Sequence, residues 1–510
     1  MPFIFTAVCP MGVAGAVIFL FYYFVTCIYL AYFHPLAKFP GPRFASISRL
    51  PLATSAIKGQ TYRWLEELHG KYGPVVRIAP GELTTISPGA WKDIYLNRPE
   101  LPKDPHSQTP PLNGVDSLFT ADGHTHSRMR RTFSNAFSER ALRDQAKTIE
   151  SCVEQLIQRL RREIAKNSGG CDNIDIAKLY GYVALDIISD LTYGESFRSL
   201  EGDNENDMIM RFFLGTKFGA IRNSLSYFYP LDRLFGYIFL RLTAGVRARN
   251  WEASAERVAK RLDMAAAGTD RSDFLTPVIG NVDESRQKGI TSDELCNNCL
   301  AITMAGSYLP TLALTTATYL LMRDKKSYKR LKTEIYTAFS SQDQICIAST
   351  AALPFLSAVI DETLRLRHPT PIHLPRILPP QGHVIDGQWI PGNTIIGVAL
   401  QNAQTSPMNW KEPLSFRPER FLNPSHPWYD ASFANDKKES YHPFSIGNRN
   451  CIGSKMFLAE ARLVLARTIF SFDMELSDQT EKDWMNQKAY LAFEPKPVFA
   501  VLKETSFDKM

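Results

Sequence analysis

The chain has 510 residues, 45% of them hydrophobic and 22% charged, and a net charge of +6. The basic residues form no block, which argues against nucleic acid as a partner and suits a surface that meets acidic lipids or an acidic redox protein. No internal repeat, low-complexity tract or Gly/Ser linker divides the sequence, so one large catalytic domain behind a short anchor is simpler than several domains.

From Phe3 to Phe33 there is no charge. Pro10 is expected to break this run and leave Met11 to Phe33 as a spanning helix, about 34 Å long against a hydrocarbon core of about 30 Å. A cleaved signal peptide would carry a basic start and a shorter apolar core. Lys38, Arg43 and Arg49 follow the span, and the positive-inside rule then places the rest in the cytoplasm. That describes a single-pass anchor of the kind the endoplasmic reticulum membrane holds. His34 to Pro42 is rich in proline and reads as a stiff hinge. The expected organisation is an anchor over 1–33, a hinge over 34–45 and a catalytic body over 46–510.

Tyr62 to Lys71 has helical spacing, and Pro74 to Ile86 alternates around Pro80-Gly81 as a hairpin does. Leu142 to Lys166, Ile174 to Thr192 and Trp251 to Ala267 read as helices. Met208 to Val246 is dense in Phe, Tyr, Leu and Ile, and on composition alone it is core. Asp293 to Arg323 is a long apolar helix, and Ser357 to Arg367 is another that prolines stop. Val384 to Val398 reads as short strands with turns at Asp386-Gly387 and Pro391-Gly392. The balance is mainly α with small β-sheets.

The eight cysteines lack the spacing of a disulfide framework, which suits a reducing compartment. Cys296 and Cys299 form a C-x-x-C without a second pair or a histidine cluster, so they read as helix cysteines before zinc ligands. Cys451 is different. It lies in Phe444-Ser445-Ile446-Gly447-Asn448-Arg449-Asn450-Cys451-Ile452-Gly453. This frame fits a thiolate bound to heme iron, which must be screened and approached by backbone N–H groups. Gly447 and Gly453 lack Cβ atoms, so one can take positive φ and both can lie close to a flat macrocycle. Phe444 would shield the sulfur, and Arg449 could meet a heme propionate.

The loop resembles the F-x-x-G-x-R-x-C-x-G signature of the cytochrome P-450 superfamily, and further motifs follow the family's order from about Phe39 onward. The resemblance implies a cytochrome P-450 fold preceded by one transmembrane helix. It also implies that Met208 to Val246 forms two helices that roof the substrate pocket and touch the membrane. Glu362 and Arg365 resemble the E-x-x-R pair, and Arg420, in Phe416-Arg417-Pro418-Glu419-Arg420-Phe421, is the expected third member of a buried triad. His126 and Arg130 stand where the family commonly has W-x-x-x-R. With Arg376 and Arg449 they are expected to bind the propionates. His368 and His442 read as turn or surface residues.

Ala305-Gly306-Ser307-Tyr308-Leu309-Pro310 departs from the family. An acid and an alcohol usually stand here and deliver protons to dioxygen; this chain has Tyr308 and Leu309, and leucine can neither bind nor donate a proton. Thr311 is offset by two residues, about 200° around a helix. Pro310 has no N–H, leaves the Gly306 carbonyl without its usual partner, and is expected to kink the helix and admit water. Gly306, Tyr308 and Pro310 are therefore the candidate oxygen-activation residues.

The resemblance implies a heme-thiolate monooxygenase that uses O2 and oxidises a lipophilic small molecule. No flavin or nicotinamide motif is present, so electrons would come from a separate NADPH-dependent flavoprotein reductase, with cytochrome b5 a further candidate donor. Phe33 to Pro42 and Ala136 to Leu142 look like fungal members that tailor terpenoids, polyketides and alkaloids. Two alternatives stay open: an oxygen-independent heme-thiolate rearrangement, dehydration or cyclisation, and a non-enzymatic heme-bearing sensor.

Overall fold

The computed structural model describes residues 3–166, 171–202, 208–269, 271–283 and 289–505. Helix α1 (Phe3–Ile28) leads directly into a π-helical turn, Tyr29–Phe33. Pro10 does not break it, contrary to expectation. One proline near a helix start removes a single backbone hydrogen bond, which a long apolar helix absorbs. From Val13 onward large apolar side chains stand exposed, Phe21 and Tyr22 among them. The π turn closes where His34 N–H donates to the Tyr29 carbonyl at 2.8 Å, just before Pro35 ends the helix.

The proline-rich segment is docked against the body. Leu36 and Phe39 are buried in the cluster that covers the first sheet. Arg77 N–H donates to Pro40 O at 2.8 Å. A Cβ on Gly41 would sit 2.3 Å from the Arg77 carbonyl, so the two backbones touch only because residue 41 is glycine. The Arg77 side chain donates to Leu30 O at 2.9 Å and Pro80 O at 2.7 Å, tying the end of the N-terminal helix to the sheet.

Helix α2 (Thr61–Tyr72) precedes the expected hairpin, β1 (Val75–Ala79) and β2 (Glu82–Thr85). The four-stranded sheet runs β1-β2-β7-β4, with β2 parallel to β7 (Ile395–Val398) and β4 (Arg376–Ile377) antiparallel to it. Strands β5 (His383–Ile385) and β6 (Gln388–Ile390) form a separate hairpin, turned by Asp386 and Gly387 at positive φ. A third sheet joins β3 (Cys171–Asp175), β9 (Phe499–Glu504) and β8 (Phe472–Leu476).

The larger body is helical: α3 (Gly123–Ser134), α4 (Glu139–Lys166), α5 (Ile176–Tyr193), α6 (Met208–Leu225), α7 (Leu231–Ala266), α8 (Ser292–Arg323), α9 (Lys325–Ala338), α10 (Pro354–Leu366) and α11 (Ser454–Ser471). Helix α8 opens with a capping box, Thr291 Oγ1 accepting from Glu294 N–H at 3.2 Å and Glu294 accepting from Thr291 N–H at 3.0 Å. Cys296 and Cys299 are buried on α8, and burial pushes both thiols up, Cys296 to about 11. The helix expected to begin at Trp251 begins twenty residues earlier, as part of the continuous α7.

The Met208 to Val246 segment is two helices with little core in them. Phe212 and Phe213 are buried on α6, whereas Leu214, Phe218, Tyr229, Leu234, Tyr237 and Leu242 are exposed. Apolar composition suggested interior packing; the side chains instead make an outward-facing apolar surface.

Behind the cysteine loop, Glu362 and Arg365 form a fully buried bidentate pair at 2.6 and 2.8 Å. Arg420 joins Glu362 at 3.1 Å and also binds Asp436, so the expected triad is a tetrad. Arg417 N–H adds a hydrogen bond to Glu362 at 2.8 Å. A buried carboxylate is tolerable because so many donors meet it. His368 is not a surface residue. It is buried, with one ring nitrogen 3.0 Å from Thr370 O and the other 2.7 Å from Pro443 O, and burial lowers its pKa. It thus ties the end of α10 to the start of the cysteine loop. His442 is half-buried against Trp91, ring centroids 4.9 Å apart.

Candidate active site

The cysteine loop is shaped by two left-handed residues, Ser445 (φ 57°) and Gly447 (φ 77°). A Cβ on Gly447 would lie 2.2 Å from the Tyr95 carbonyl, so this glycine serves both the turn and a backbone contact. Cys451 N–H then donates to Phe444 O at 2.8 Å and Asn450 N–H to Gly447 O at 3.1 Å, folding the loop under the sulfur. Phe444 is half-buried and meets Phe457 at 5.8 Å between ring centroids.

Cys451 is the exposed one of the six described free cysteines. Protein nonetheless surrounds it, since burial is the first cause of its raised thiol pKa; the Gly453 amide and the Arg130 guanidinium pull the other way, toward thiolate. Free surface on a surrounded thiol means that it fronts an internal space. At Gly453 a Cβ would meet only the Phe137 ring, at 3.9 Å, so that side of the loop is open. Arg130, on α3, donates to the carbonyl and the side-chain oxygen of Asn450, which fixes the loop beside the sulfur.

A cluster of charge adjoins the loop. Arg449 donates to Glu100, to Asp122 at 2.7 Å and to Ala121 O at 2.6 Å, so its fork is already engaged by protein acceptors. Arg376 donates to Pro375 O at 2.9 Å. Burial lowers its pKa, as does nearby Arg449. His126 is buried on α3 and pushed down to about 4, first by burial and then by Arg449. Lys103 completes the group, pushed down to about 8 by burial, Arg449 and Arg376 against Asp122 and Glu100. Lys103, Arg130, Arg376 and Arg449 set against Glu100 and Asp122 leave a surplus of two positive charges.

On α8 most residues are buried, but Ala301, Met304, Ala305 and Leu309 keep partial exposure in mid-helix, as does Gly306 at the edge of their face. Their spacing puts them on one stripe, and every one is apolar. Helix α8 meets α11 where Ala313, Leu314 and Ala317 face Phe457, Ala461 and Leu465. Gly453 caps the start of α11, and Cys451 lies just before it.

Of the candidate oxygen-activation residues, Tyr308 and Pro310 are buried off that stripe, and Gly306 borders it. Tyr308 is buried among Tyr62, Phe212, Phe213, Tyr490 and Phe493, and its hydroxyl donates to Phe493 O. Burial raises its pKa far above the usual phenol value. A Cβ on Gly306 would come within 2.5 Å of Ile188, so on that side the glycine seats α5 against α8. Thr311 Oγ1 donates to Ser307 O at 2.7 Å and its methyl lies toward Gly181 of α5. Helix α8 continues through Pro310 without interruption.

The cytochrome P450 family model matches residues 40–501. This chain belongs to the cytochrome P450 family. Cytochrome P450 monooxygenase atr2 of Stereocaulon alpinum is 36% identical over 477 residues, 93% of this chain and 92% of that protein. Cytochrome P450 monooxygenase stcF of Emericella nidulans is 36% identical over 492 residues, covering 96% and 99%. The averantin hydroxylase of Dothistroma septosporum is 34% identical over 500 residues, covering 98% and 92%. This P450 is an oxidoreductase of the monooxygenase class, related to fungal enzymes of secondary metabolism. The family implies heme with a cysteine thiolate ligand, together with a lipophilic substrate, O2 and a redox partner.

The residues present fit heme. An internally directed thiol, an open backbone side at Gly453 and a surplus of two positive charges match a flat macrocycle with an axial sulfur and two carboxylates. The structure brings the candidates Cys451, Arg130, Arg376, Arg449 and His126 together, and beside them it places Lys103, Glu100 and Asp122, which the sequence did not single out. Those three precede any recognised motif, and only the tertiary fold brings them to the loop. The one signal available was a lysine held between Pro102 and Pro105.

Proposed function

We propose that this P450 is a membrane-anchored heme-thiolate monooxygenase that oxidises a lipophilic secondary metabolite, with Cys451 as the residue that would hold the heme iron. When bound, heme with a thiolate ligand supplies reductive activation of dioxygen and oxidation of an unactivated carbon. Cys451 gives up its proton to become the ligand, helped by the Gly453 amide and Arg130. Arg376, Lys103, Arg130 and Arg449 balance the propionates, and His126, neutral among these cations, is left to serve as an N–H donor. Ala301, Met304, Ala305 and Leu309 would line the gap in front of the Cys451 thiol, exclude water from it and hold an apolar substrate by shape and burial.

Protons need another route, because Tyr308 is committed to Phe493 O and Leu309 carries none. The Gly306 carbonyl has no amide four residues on, since residue 310 is proline. A water on that oxygen, or a substrate hydroxyl, carries protons into the gap. Pro310→Ala supplies the missing N–H and should displace the water. We expect less product per NADPH consumed; unchanged coupling would sink this route.

The exposed α1 and the apolar faces of α6 and α7 support attachment to a membrane through which a lipophilic substrate arrives. The endoplasmic reticulum, with the body in the cytoplasm, suits the basic residues after the span and gives access to an NADPH-dependent flavoprotein reductase and cytochrome b5. The organisation follows as anchor, docked proline segment and catalytic body. The observation that carries this reading is the Cys451 thiol, held in a glycine-turned loop beside a cluster with surplus positive charge. Its test is the carbon monoxide spectrum of the reduced full-length protein in membranes. A Soret band at the thiolate position is expected, and a folded protein without one would overturn the assignment. An oxygen-independent reaction is favoured only by Leu309 at the alcohol's place, and product formed without O2 or NADPH would establish it.

A further inference from the structure

Beneath the turn between α6 and α7 lies an open cavity of about 280 Å³, lined by Pro105, His106, Arg222, Ser226, Asp232 and Gly236. Its walls are tied to the body. Tyr227 donates to Asp104 and packs on His106, ring centroids 4.6 Å apart. The Arg49 guanidinium, paired with Glu82 of β2, lies 3.4 Å from the Tyr227 ring centroid. Side chains of α6, its following turn and α7 grip the carbonyls of His106, Ser107, Gln108 and Pro111, so the cavity is preformed.

The charged groups in it are not paired with each other. Arg222 uses Nη1 on Gln108 O and Asn223 Oδ1, and its Nε and Nη2 make no hydrogen bond among the described residues. Burial and then Arg247 lower its pKa, and Arg247 itself has a carbonyl, Pro111 O, for a partner. Asp232 Oδ1 is buried without a hydrogen-bond partner among the described residues. A guanidinium with free N–H groups calls for an anion, and a buried carboxylate oxygen without a donor calls for an N–H. One ligand that answers both is a zwitterion whose cationic end still carries hydrogens, a primary ammonium and not a quaternary one. The flanks of the cavity add a second requirement. Leu231, Leu234 and Tyr237 stand exposed beside Asp232 and Gly236 in the first two turns of α7, and Tyr229 is exposed just before them. An apolar rim around a charged recess fits a molecule with apolar chains behind a charged head.

We propose that this cavity binds the headgroup of phosphatidylethanolamine, with Arg222 on the phosphate, Asp232 on the ammonium and the acyl chains along the start of α7. Bound there, the lipid holds the α6–α7 turn at a fixed depth in the bilayer surface. This inference rests on the membrane attachment proposed above. Flotation of the wild-type protein with phosphatidylcholine vesicles tests attachment by itself, so the two can fail separately.

The experiment titrates delipidated full-length holoenzyme in detergent with phosphatidylethanolamine, phosphatidylcholine and phosphatidylglycerol, and native mass spectrometry counts the bound lipid. We expect one phosphatidylethanolamine to bind about tenfold or more tighter than either other lipid, because choline has no N–H and glycerol no charge for Asp232. Asp232→Asn should bring phosphatidylethanolamine to the level of phosphatidylcholine. Arg222→Gln, which keeps a donor for Gln108 O, should weaken phosphatidylethanolamine about tenfold. A wild-type Soret band shows that each variant is folded, and the three-lipid comparison on wild type needs no variant. Equal affinities of wild type for the three lipids would overturn the proposal, as would an undiminished preference for phosphatidylethanolamine in Asp232→Asn. Displacement of the lipid by millimolar O-phosphoethanolamine would also overturn it, assigning the cavity to a soluble zwitterion.

Discussion

Glu460 is fully buried on α11, and its Oε1 has no hydrogen-bond partner among the described residues. Burial pushes its carboxyl up to about 8 from 4.5. Cys152 on α4 feels this carboxyl: its own thiol is raised to about 12, first by burial and then by Asp190, Asp186 and Glu460. The folded protein therefore keeps Glu460 protonated at neutral pH, while the unfolded chain ionises it above about 4.5. A group raised on folding stabilises most below its unfolded pKa and loses that contribution as pH climbs to the folded value. Between about 4.5 and 8 the loss is about 1.4 kcal/mol per pH unit, which makes about 3 kcal/mol at pH 7. Glu460→Gln keeps the shape of the neutral acid and removes the titration. Relative to wild type it should gain stability progressively from pH 5 to 8 and by a constant amount above pH 8. Retention of the Soret band after challenge with urea at pH 5, 6, 7, 8 and 9 reads this directly. Parallel pH dependences for the two proteins would refute the reasoning, because a packing defect shifts every point alike and only a removed titration changes the slope.

Three further outcomes follow from the same geometry. Gly447→Ala forces a side chain into left-handed backbone and against the Tyr95 carbonyl, so heme incorporation measured as the Soret-to-protein ratio should fall severely; normal incorporation would mean that the loop can adopt another path. Glu362→Gln leaves Arg365 and Arg420 short of their shared carboxylate and should cost about 3–5 kcal/mol, read as a drop in thermal midpoint, with little change meaning that Asp436 suffices. Residues 106–112 are held by their carbonyls, Ser226 reaching His106 O, Asn223 reaching Ser107 O at 2.9 Å, Arg222 reaching Gln108 O at 2.9 Å and Arg247 reaching Pro111 O at 3.0 Å. Because main chain is gripped, Arg222→Ala with Asn223→Ala should speed hydrogen exchange across this segment about tenfold, whereas Gln108→Ala should not; the reverse order would show that side chains hold it.

What could be read from sequence followed how locally each feature is determined. The hairpin at Pro80-Gly81, the β5–β6 turn at Asp386-Gly387 and the long helix after Thr291 each carry their own turn or cap chemistry, and they form where expected. The start of α7 was missed because Leu231 to Asn250 is apolar on an exposed face, which erases the periodic contrast that marks an amphipathic helix. The docking of Leu36 and Phe39 was hidden for another reason: proline signals a stop to helix but says nothing about what the stiff segment packs against. His368 was misplaced because its two carbonyl partners, Thr370 and Pro443, lie 2 and 75 residues away, and only the second identifies it as a tie between α10 and the cysteine loop.

The oxygen-activation segment shows where a motif departure and its structural meaning part company. Reading Tyr308 as a substitute for an acid treats side-chain type as decisive, but on α8 the angular position decides. Residues 301, 305 and 309 repeat every four positions and share one face, so residue 309 stands at the gap and residue 308 is turned about 100° away. Tyrosine there has exchanged a proton-delivery role for a clamp: its ring joins α6 and α2 side chains, and its hydroxyl holds the chain at Phe493. Leucine one residue on keeps that face of α8 apolar. On the proton route proposed above the two substitutions act together: tyrosine holds the helix against its neighbours, leucine carries no proton, and the Gly306 carbonyl, left without an amide partner by Pro310, would accept from the water that delivers protons.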